Sequence, residues 1–347
     1  MKDKKYFIFL DVLRFLAFFL VFFYHFLVRI AENGLASSEA VQKIYEHPNY
    51  HVATLAVSLF FILSGAGLML SAEKTWDIKN YFKKRIVRIL IPFYLVYAGI
   101  WFLMYIWKSG EIFEPGIPKW HFLFTLLGMD GYIQEFGIST FSLGIGEWFL
   151  GCLVLIYLLF PLLRKCMMKN SICFMGAATI CYFIAVICGN ENIPVHMQFM
   201  VKLYEFVLGM YWVIQRKHIG KKVQVFSVIL FFMFVLNPFE LPVENGIKIT
   251  VLAVLLVLSV SNMEDVLEKH NWLKKGLRSF CRYSFEMYLI HHWTIILITQ
   301  FAAKWINNSV MLVVLFVLEM TIVCLGGRVV MYIAHVIGFC YNKLLKI

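Results

Sequence analysis

The sequence predicts an all-α, polytopic integral membrane protein with about ten transmembrane helices and both termini in the cytoplasm. Three observations lead there. The chain of 347 residues is 61% hydrophobic and only 15% charged, against roughly 45–50% and 25% in soluble domains. Its apolar residues fall in repeated long runs, and a bilayer span needs about 20 of them. Its cations also sort to alternate ends of those runs. A soluble chain of this length could not hide so much apolar surface in one or two cores. A soluble enzyme, a disordered chain and a nucleic-acid binder of the usual kind are therefore excluded.

The spans run over 6–30, 52–72, 86–107, 147–164, 172–189, 199–215, 223–239, 247–262, 284–303 and 309–335, as one transmembrane domain over 1–347. Those at 199–215 and 247–262 are short. Met1–Lys5 is too short, and the run after it too long and charged, for a cleavable signal peptide. With the N-terminus inside, 22 Lys and Arg residues fall in cytoplasmic segments. Seven fall in outer segments or outer helix ends: Arg29, Lys43, Lys108, Lys119, Lys202, Lys248 and Lys304. This is the positive-inside asymmetry, and it accounts for most of the net charge of +11. The eight cysteines form no CxxC pair and lie mostly in apolar runs, which predicts packing rather than disulfides or zinc. The outer segment 108–146, with Gly110, Pro115, Gly116, Pro118 and Gly131, reads as a structured loop that could be partly re-entrant. No soluble catalytic domain fits, so any chemistry belongs to the membrane helices.

An ionisable group inside a bilayer costs several kcal/mol and needs a partner or a use. In the first span, Arg14 and His25 are eleven residues apart. That spacing returns to within about 20° of one helix face, with about 16 Å of rise between them. Asp11, three residues before Arg14, can pair with it. A structural reading makes Asp11–Arg14 a satisfied pair and His25 a helix-end cap. A functional reading makes the stripe one wall of a polar cavity, with His25 suited to take a proton from a hydroxyl. The second span ends Ser64-Gly65-Ala-Gly67, where both glycines suit close helix packing and Ser64 can hydrogen-bond across.

Arg85 and Arg88, at the cytoplasmic start of the third span, suit either phosphate binding or positive-inside anchoring. Glu147 and Trp148 open the fourth span. Trp148 fits an interfacial belt, and Glu147 could face an outer cavity. The ninth span carries Glu286, Tyr288, His291 and His292. Adjacent histidines point to different faces, so at most one is expected to line a given cavity. No metal site is expected. His47 and His51 have helix-face spacing beside Glu46, but they sit in a loop without further ligands. A Walker lysine motif, a nucleophile elbow and HExxH are all absent.

Together these segments resemble the membrane acyltransferase-3 family. The matching features are Leu10-Asp11-x-x-Arg14 with His25 after ten intervening residues; Phe60 to Gly65; Arg85-x-x-Arg88 leading to Ile91-Pro92; Trp148-Phe-Leu with Tyr157 to Pro161; and Tyr288-Leu-Ile-His291. They run in order over nearly the whole chain. The resemblance implies a multi-pass O-acyltransferase, most simply of a bacterial plasma membrane. It would move an acyl group, usually acetyl, from cytosolic acyl-CoA to a hydroxyl of a carbohydrate acceptor at the cell surface or on a lipid carrier. It makes His25 the catalytic histidine, Arg14 its partner, and Arg85 and Arg88 the holders of coenzyme A phosphates. Asp11, Ser64, Glu147, Trp148, Tyr288 and His291 are then candidates to line the cavity. The expected partners are the bilayer, acyl-CoA and a carbohydrate, with no nucleic acid. This would be a short form without an extracytoplasmic hydrolase-like domain. One departure is Leu153, which stands where many members carry a Glu five residues after the Trp. The rival readings are a polysaccharide or glycolipid exporter or flippase without acyl-CoA chemistry, and a non-catalytic assembly partner.

Overall fold

The computed structural model describes residues 7–73, 76–107, 113, 116–189, 193–216, 219–261, 263–267 and 269–344. Tyr6, at the start of the first span, lies outside them, as do the cations Lys2, Lys4, Lys5, Lys74, Lys108, Lys217 and Lys346 and the loop residues Gly110, Glu111, Glu114 and Pro115. In chain order the helices begin with α1 Ile8–Glu32, α2 Ser38–Tyr45, α3 Val52–Ala72, α4 Ile78–Arg85 and α5 Ile91–Trp107. The short α6 Phe122–Leu126 and α7 Asp130–Gln134 follow, then α8 Glu147–Lys169, α9 Ser171–Cys188, α10 Phe199–Gln215 and α11 Lys221–Leu236. The last are α12 Asn245–Ser261, α13 Glu264–Leu267, α14 Asn271–Cys281, α15 Ser284–Ala302 and α16 Ser309–Leu344. The strands described are a two-residue antiparallel pair, Glu46–His47 with Tyr50–His51.

The chain is an all-α multi-pass membrane protein, and each expected span has its helix. Among the described residues six helices are long and apolar enough to cross a bilayer: Ile8–Glu32, Val52–Ala72, Ile78–Trp107, Glu147–Lys169, Ser171–Cys188 and Ser309–Cys340. The spans at 199–215, 223–239 and 247–262 form helices of 17, 16 and 17 residues, shorter than that criterion. The third span starts earlier than 86 because the Asp77 side chain accepts the Lys79 backbone N–H and begins the helix there. Where the outward faces carry Ile172, Ile180, Ile187, Leu236 and Val310, all exposed, the surface is that of a protein whose solvent is lipid.

The chain divides into two compact units. The first comprises Met1–Tyr24, Glu39–Thr75 and Phe160–Arg282. Its α1 starts with a borrowed cap: the Glu264 carboxylate accepts the backbone N–H groups of Ile8 and Phe9, each at 3.0 Å. Helices α3 and α10 approach closely. A Cβ on Gly65 would stand 1.9 Å from the Phe206 carbonyl oxygen, and one on Gly209 would stand 1.9 Å from that of Ile62. Gly67 departs from expectation, since a Cβ there would meet nothing within 4 Å. Two residues on from Gly65 is about 200° round the helix, on nearly the opposite face, and of the two only Gly65 lies in the crossing.

Beside that crossing lies a charged pair that the cation tally did not distinguish from the outer rim. Lys202 and Glu205 are fully buried. The ammonium donates to Glu205 Oε2 at 2.8 Å and to Ser58 Oγ at 3.0 Å. Glu205 Oε1 accepts from Ser58 at 2.7 Å and from Thr250 at 3.0 Å, while Tyr182 donates to the Thr250 hydroxyl. Three helices and α9 thus meet at one saturated polar knot, as a buried charge requires.

The second unit comprises His25–Ser38, Trp76–Leu159 and Tyr283–Ile347. Here α16 runs 36 residues, about 54 Å at 1.5 Å per residue and longer than the roughly 30 Å hydrocarbon core. It packs on α15, where Gly327 faces Met287, the Thr299 hydroxyl donates to buried Glu319 at 2.8 Å, and Arg328 donates to the Tyr283 hydroxyl at 2.7 Å. Over its described stretch from 116 to 146 the loop before α8 is structured, in keeping with Gly116, Pro118 and Gly131. It contains a 3₁₀ turn at Lys119–His121, then α6 and α7, with left-handed residues at Gly116, Gly128, Gly137, Gly144 and Gly146.

Candidate active site

Helix α1 runs unbroken from Ile8 to Glu32, so Arg14 and His25 do share one helix. Arg14 belongs to the first unit and His25 to the second. In the first unit, Arg14 donates to Asp11 at 2.5 Å, and the Cys281 thiol donates to the Asp11 carbonyl at 3.3 Å. Asp11 is buried and Arg14 half-buried. Ser64 is also in this unit, half-buried on α3 just before Gly65.

In the second unit, His25 is half-buried against α15. Its ring lies 5.1 Å from that of His291 and 4.8 Å from that of His292, centre to centre. Both adjacent histidines therefore reach one place, contrary to the expectation that only one could. Side chains at neighbouring helix positions diverge by about 100°. A ring as large as imidazole, seated between the two directions, touches both.

The α15 histidines are oriented by backbone carbonyls. The Nδ1 of His291 lies 2.5 Å from the Tyr288 carbonyl oxygen and that of His292 lies 2.7 Å from the Gly144 carbonyl oxygen. A carbonyl oxygen only accepts, so Nδ1 carries the hydrogen in both rings and Nε2 keeps its lone pair. The same loop is fastened twice more to α15. Trp293 Nε1 donates to the Leu143 carbonyl at 2.7 Å, and the Tyr288 hydroxyl donates to that of Gly146 at 3.1 Å. Gly146 is required here: its φ is +82°, and a Cβ would stand 2.3 Å from the Tyr288 hydroxyl oxygen. The Arg29–Glu32 ion pair, 2.8 Å long, lies one and two turns beyond His25 on α1, and both charges act on His292.

Glu147 is buried rather than facing an open cavity. Its Oε1 accepts the Leu143 N–H at 2.8 Å, at the positive end of α8 where a carboxylate is favoured. Trp148 follows it, half-buried. Next to Glu147 is Asp130, which sequence reasoning missed. It is fully buried, with Oδ1 accepting from Thr125 at 3.0 Å and Oδ2 unbonded among the described atoms. Asp130 lies in the loop, outside the spans. Burial pushes its carboxyl up to about 7; the Thr125 bond opposes this and the Glu147 charge adds to it.

Arg85 and Arg88 sit differently from the α-helical spacing assumed for them. Residues Ile86–Leu90 form a π turn between α4 and α5. Pro92 is the cause, because it cannot donate to the Arg88 carbonyl four residues back and its ring crowds that carbonyl. The wider turn swings Arg88 round the axis, leaving it exposed with Glu286 as an electrostatic neighbour. Arg85 is half-buried, with its guanidinium 5.9 Å and 5.7 Å from the ring centres of Tyr81 and Tyr157. Pro161 in α8 withholds a donor from the Tyr157 carbonyl, and the Tyr81 hydroxyl supplies one at 2.9 Å. The proline thus explains why the two tyrosines meet and form the cradle of Arg85.

His47 and His51 belong to the two-stranded turn of the first unit. His47 stacks on Tyr50, and burial holds both histidines below the ordinary imidazole value. Among the described residues no three His, Cys, Asp or Glu side chains converge on a metal position.

The model of an acyltransferase domain, Acyl_transf_3, matches residues 7–334. The chain belongs to the acyltransferase-3 family. No curated protein and no solved structure matches the chain. This acyltransferase therefore gathers in one unit His25, His291, Tyr288, Glu147, Trp148, Arg85 and Arg88, while Arg14, Asp11 and Ser64 belong to the other. The residues that sequence reasoning passed over are His292, Asp130 and the Lys202–Glu205 pair. The pair had a signal, two opposite charges three residues apart in an apolar run; Asp130 in its loop had none.

Proposed function

We propose that this membrane acyltransferase moves an acyl group, acetyl in the simplest case, from cytosolic acyl-CoA to a hydroxyl of a carbohydrate acceptor at the cell surface or on a lipid carrier. The observation that carries the reading is the meeting of His25 with two carbonyl-oriented imidazoles on α15, in a chain of an acyltransferase family. His25 removes the proton of the acceptor hydroxyl, and the oxygen attacks the thioester carbonyl carbon. Collapse of the tetrahedral intermediate breaks the C–S bond. The proton on His25 then passes to the departing thiolate, leaving an O-ester and free coenzyme A. A second route acylates His25 first and then hands the group to the hydroxyl.

Arg85 and Arg88 would hold the phosphates of coenzyme A. The donor set fits an anion, with one guanidinium oriented between two tyrosines and the other exposed. Positive-inside topology puts that pair in the cytoplasm, where acyl-CoA is, and both chain termini with it. The membrane is most simply a bacterial plasma membrane. The mass of surface glycans from cells with and without the protein tests the reading: a gain of about 42 Da per modified hydroxyl marks acetyl and about 100 Da marks succinyl. Unchanged glycans, with coenzyme A binding undiminished in Arg85→Ala/Arg88→Ala, would favour an exporter instead.

A further inference from the structure

The mechanism above uses His25 and leaves His292 without a task. We infer that His292 binds a second hydroxyl of the acceptor, adjacent to the one that is acylated, so that the preferred acceptor class is a vicinal diol. This rests on the acyl-transfer reading and adds to it the recognition of the acceptor.

Three observations converge. His292 is half-exposed, whereas its neighbour His291 is buried. The Gly144 carbonyl to which it is tied is itself on an exposed residue, so the ring stands at the accessible edge of the cluster. Its Nδ1 hydrogen is committed to that carbonyl, which leaves the Nε2 lone pair as the group it can offer a ligand. A lone pair recognises a donor, and a sugar hydroxyl is one. Finally, its ring lies 4.8 Å from that of His25. Neighbouring hydroxyls on a sugar ring are about one hydrogen-bond length apart, roughly 2.8 Å. Two imidazoles side by side can thus engage adjacent hydroxyls, one losing its proton to His25 and the other donating a hydrogen bond to His292. The Arg29–Glu32 pair beside them supplies the polar rim that a carbohydrate, unlike a lipid tail, would meet.

The alternative role for His292 is to pin the loop at Gly144 and nothing more. Three substitutions separate the two. His292→Gln keeps an N–H for the Gly144 carbonyl and an oxygen to accept a hydroxyl. His292→Lys keeps a donor and has no lone pair. His292→Ala has neither. The assay is transfer from radiolabelled acetyl-CoA to methyl β-glucopyranoside and to its 3-deoxy analogue, which has no adjacent ring hydroxyls, by the full-length protein in lipid nanodiscs.

The wild-type ratio of kcat/KM should favour the diol about tenfold, equivalent to about 1.4 kcal/mol. His292→Gln should keep most of that preference, while His292→Lys and His292→Ala bring the ratio near one. A ratio near one in the wild type, or a preference that survives in His292→Lys, overturns the proposal. Failure of the underlying reading looks different: the wild type transfers to neither sugar, or transfer to both persists in His25→Ala.

Discussion

Replacing Lys202 by Met should destabilise the first unit more than any single surface change. The ammonium donates to Glu205 Oε2 and also bonds Ser58, and both charged side chains are out of contact with solvent. Removing one member of a buried pair leaves the other charge uncompensated, at a cost of about 3–5 kcal/mol. The first unit falls in the size range where each kcal/mol moves the midpoint by about 2–4 °C. The expected fall in the thermal midpoint is then roughly 6–20 °C. The double substitution Lys202→Met/Glu205→Gln should recover most of the loss, because Ser58 and Thr250 can still bond a neutral amide. The assay is thermal unfolding of purified protein in detergent, monitored by intrinsic fluorescence. A single variant no less stable than the double one would refute the reasoning.

Other consequences follow from the same packing. Gly65→Ala puts a methyl group into the Phe206 carbonyl and should force α3 and α10 apart, lowering the midpoint, whereas Gly67→Ala should leave it unchanged. Tyr81→Phe removes the donor to the Tyr157 carbonyl and should cost about 1–3 kcal/mol, most of which Pro161→Ala in the same chain should restore by returning the helical N–H; a double-mutant cycle in denaturant reads both. Burial lifts the Asp130 carboxyl from 3.8 to about 7. The folded state therefore holds a proton that the unfolded chain has lost, its advantage is full below about pH 4, and it declines as the pH rises toward 7. Asp130→Asn should flatten the midpoint between pH 4 and 7.

How much of this was legible in the sequence depends on what each feature needs. Helix ranges such as 52–72 and 199–215 are fixed by local apolar runs and short polar interruptions, and they coincide with α3 and α10. The Arg14–His25 register needs only that α1 be unbroken, which it is. Contacts between distant segments are another matter. Adjacent histidines diverge on their own helix, and only the placement of His25 between them makes a cluster of His291 and His292. The π turn follows from Pro92, which the sequence displays, yet spacing read as a regular helix puts Arg85 and Arg88 on one face. Asp130 owes its state to burial by a folded loop, a property that no local pattern of residues encodes.

The central claim is that His25 performs the acyl transfer. Its most direct measurement is the initial rate of transfer from radiolabelled acetyl-CoA to a lipid-linked sugar, comparing wild type with His25→Ala at matched folded protein. General-base assistance contributes about 10²–10⁴-fold. The rate should therefore fall at least a hundredfold, with coenzyme A binding retained. Transfer by His25→Ala at the wild-type rate would contradict the account.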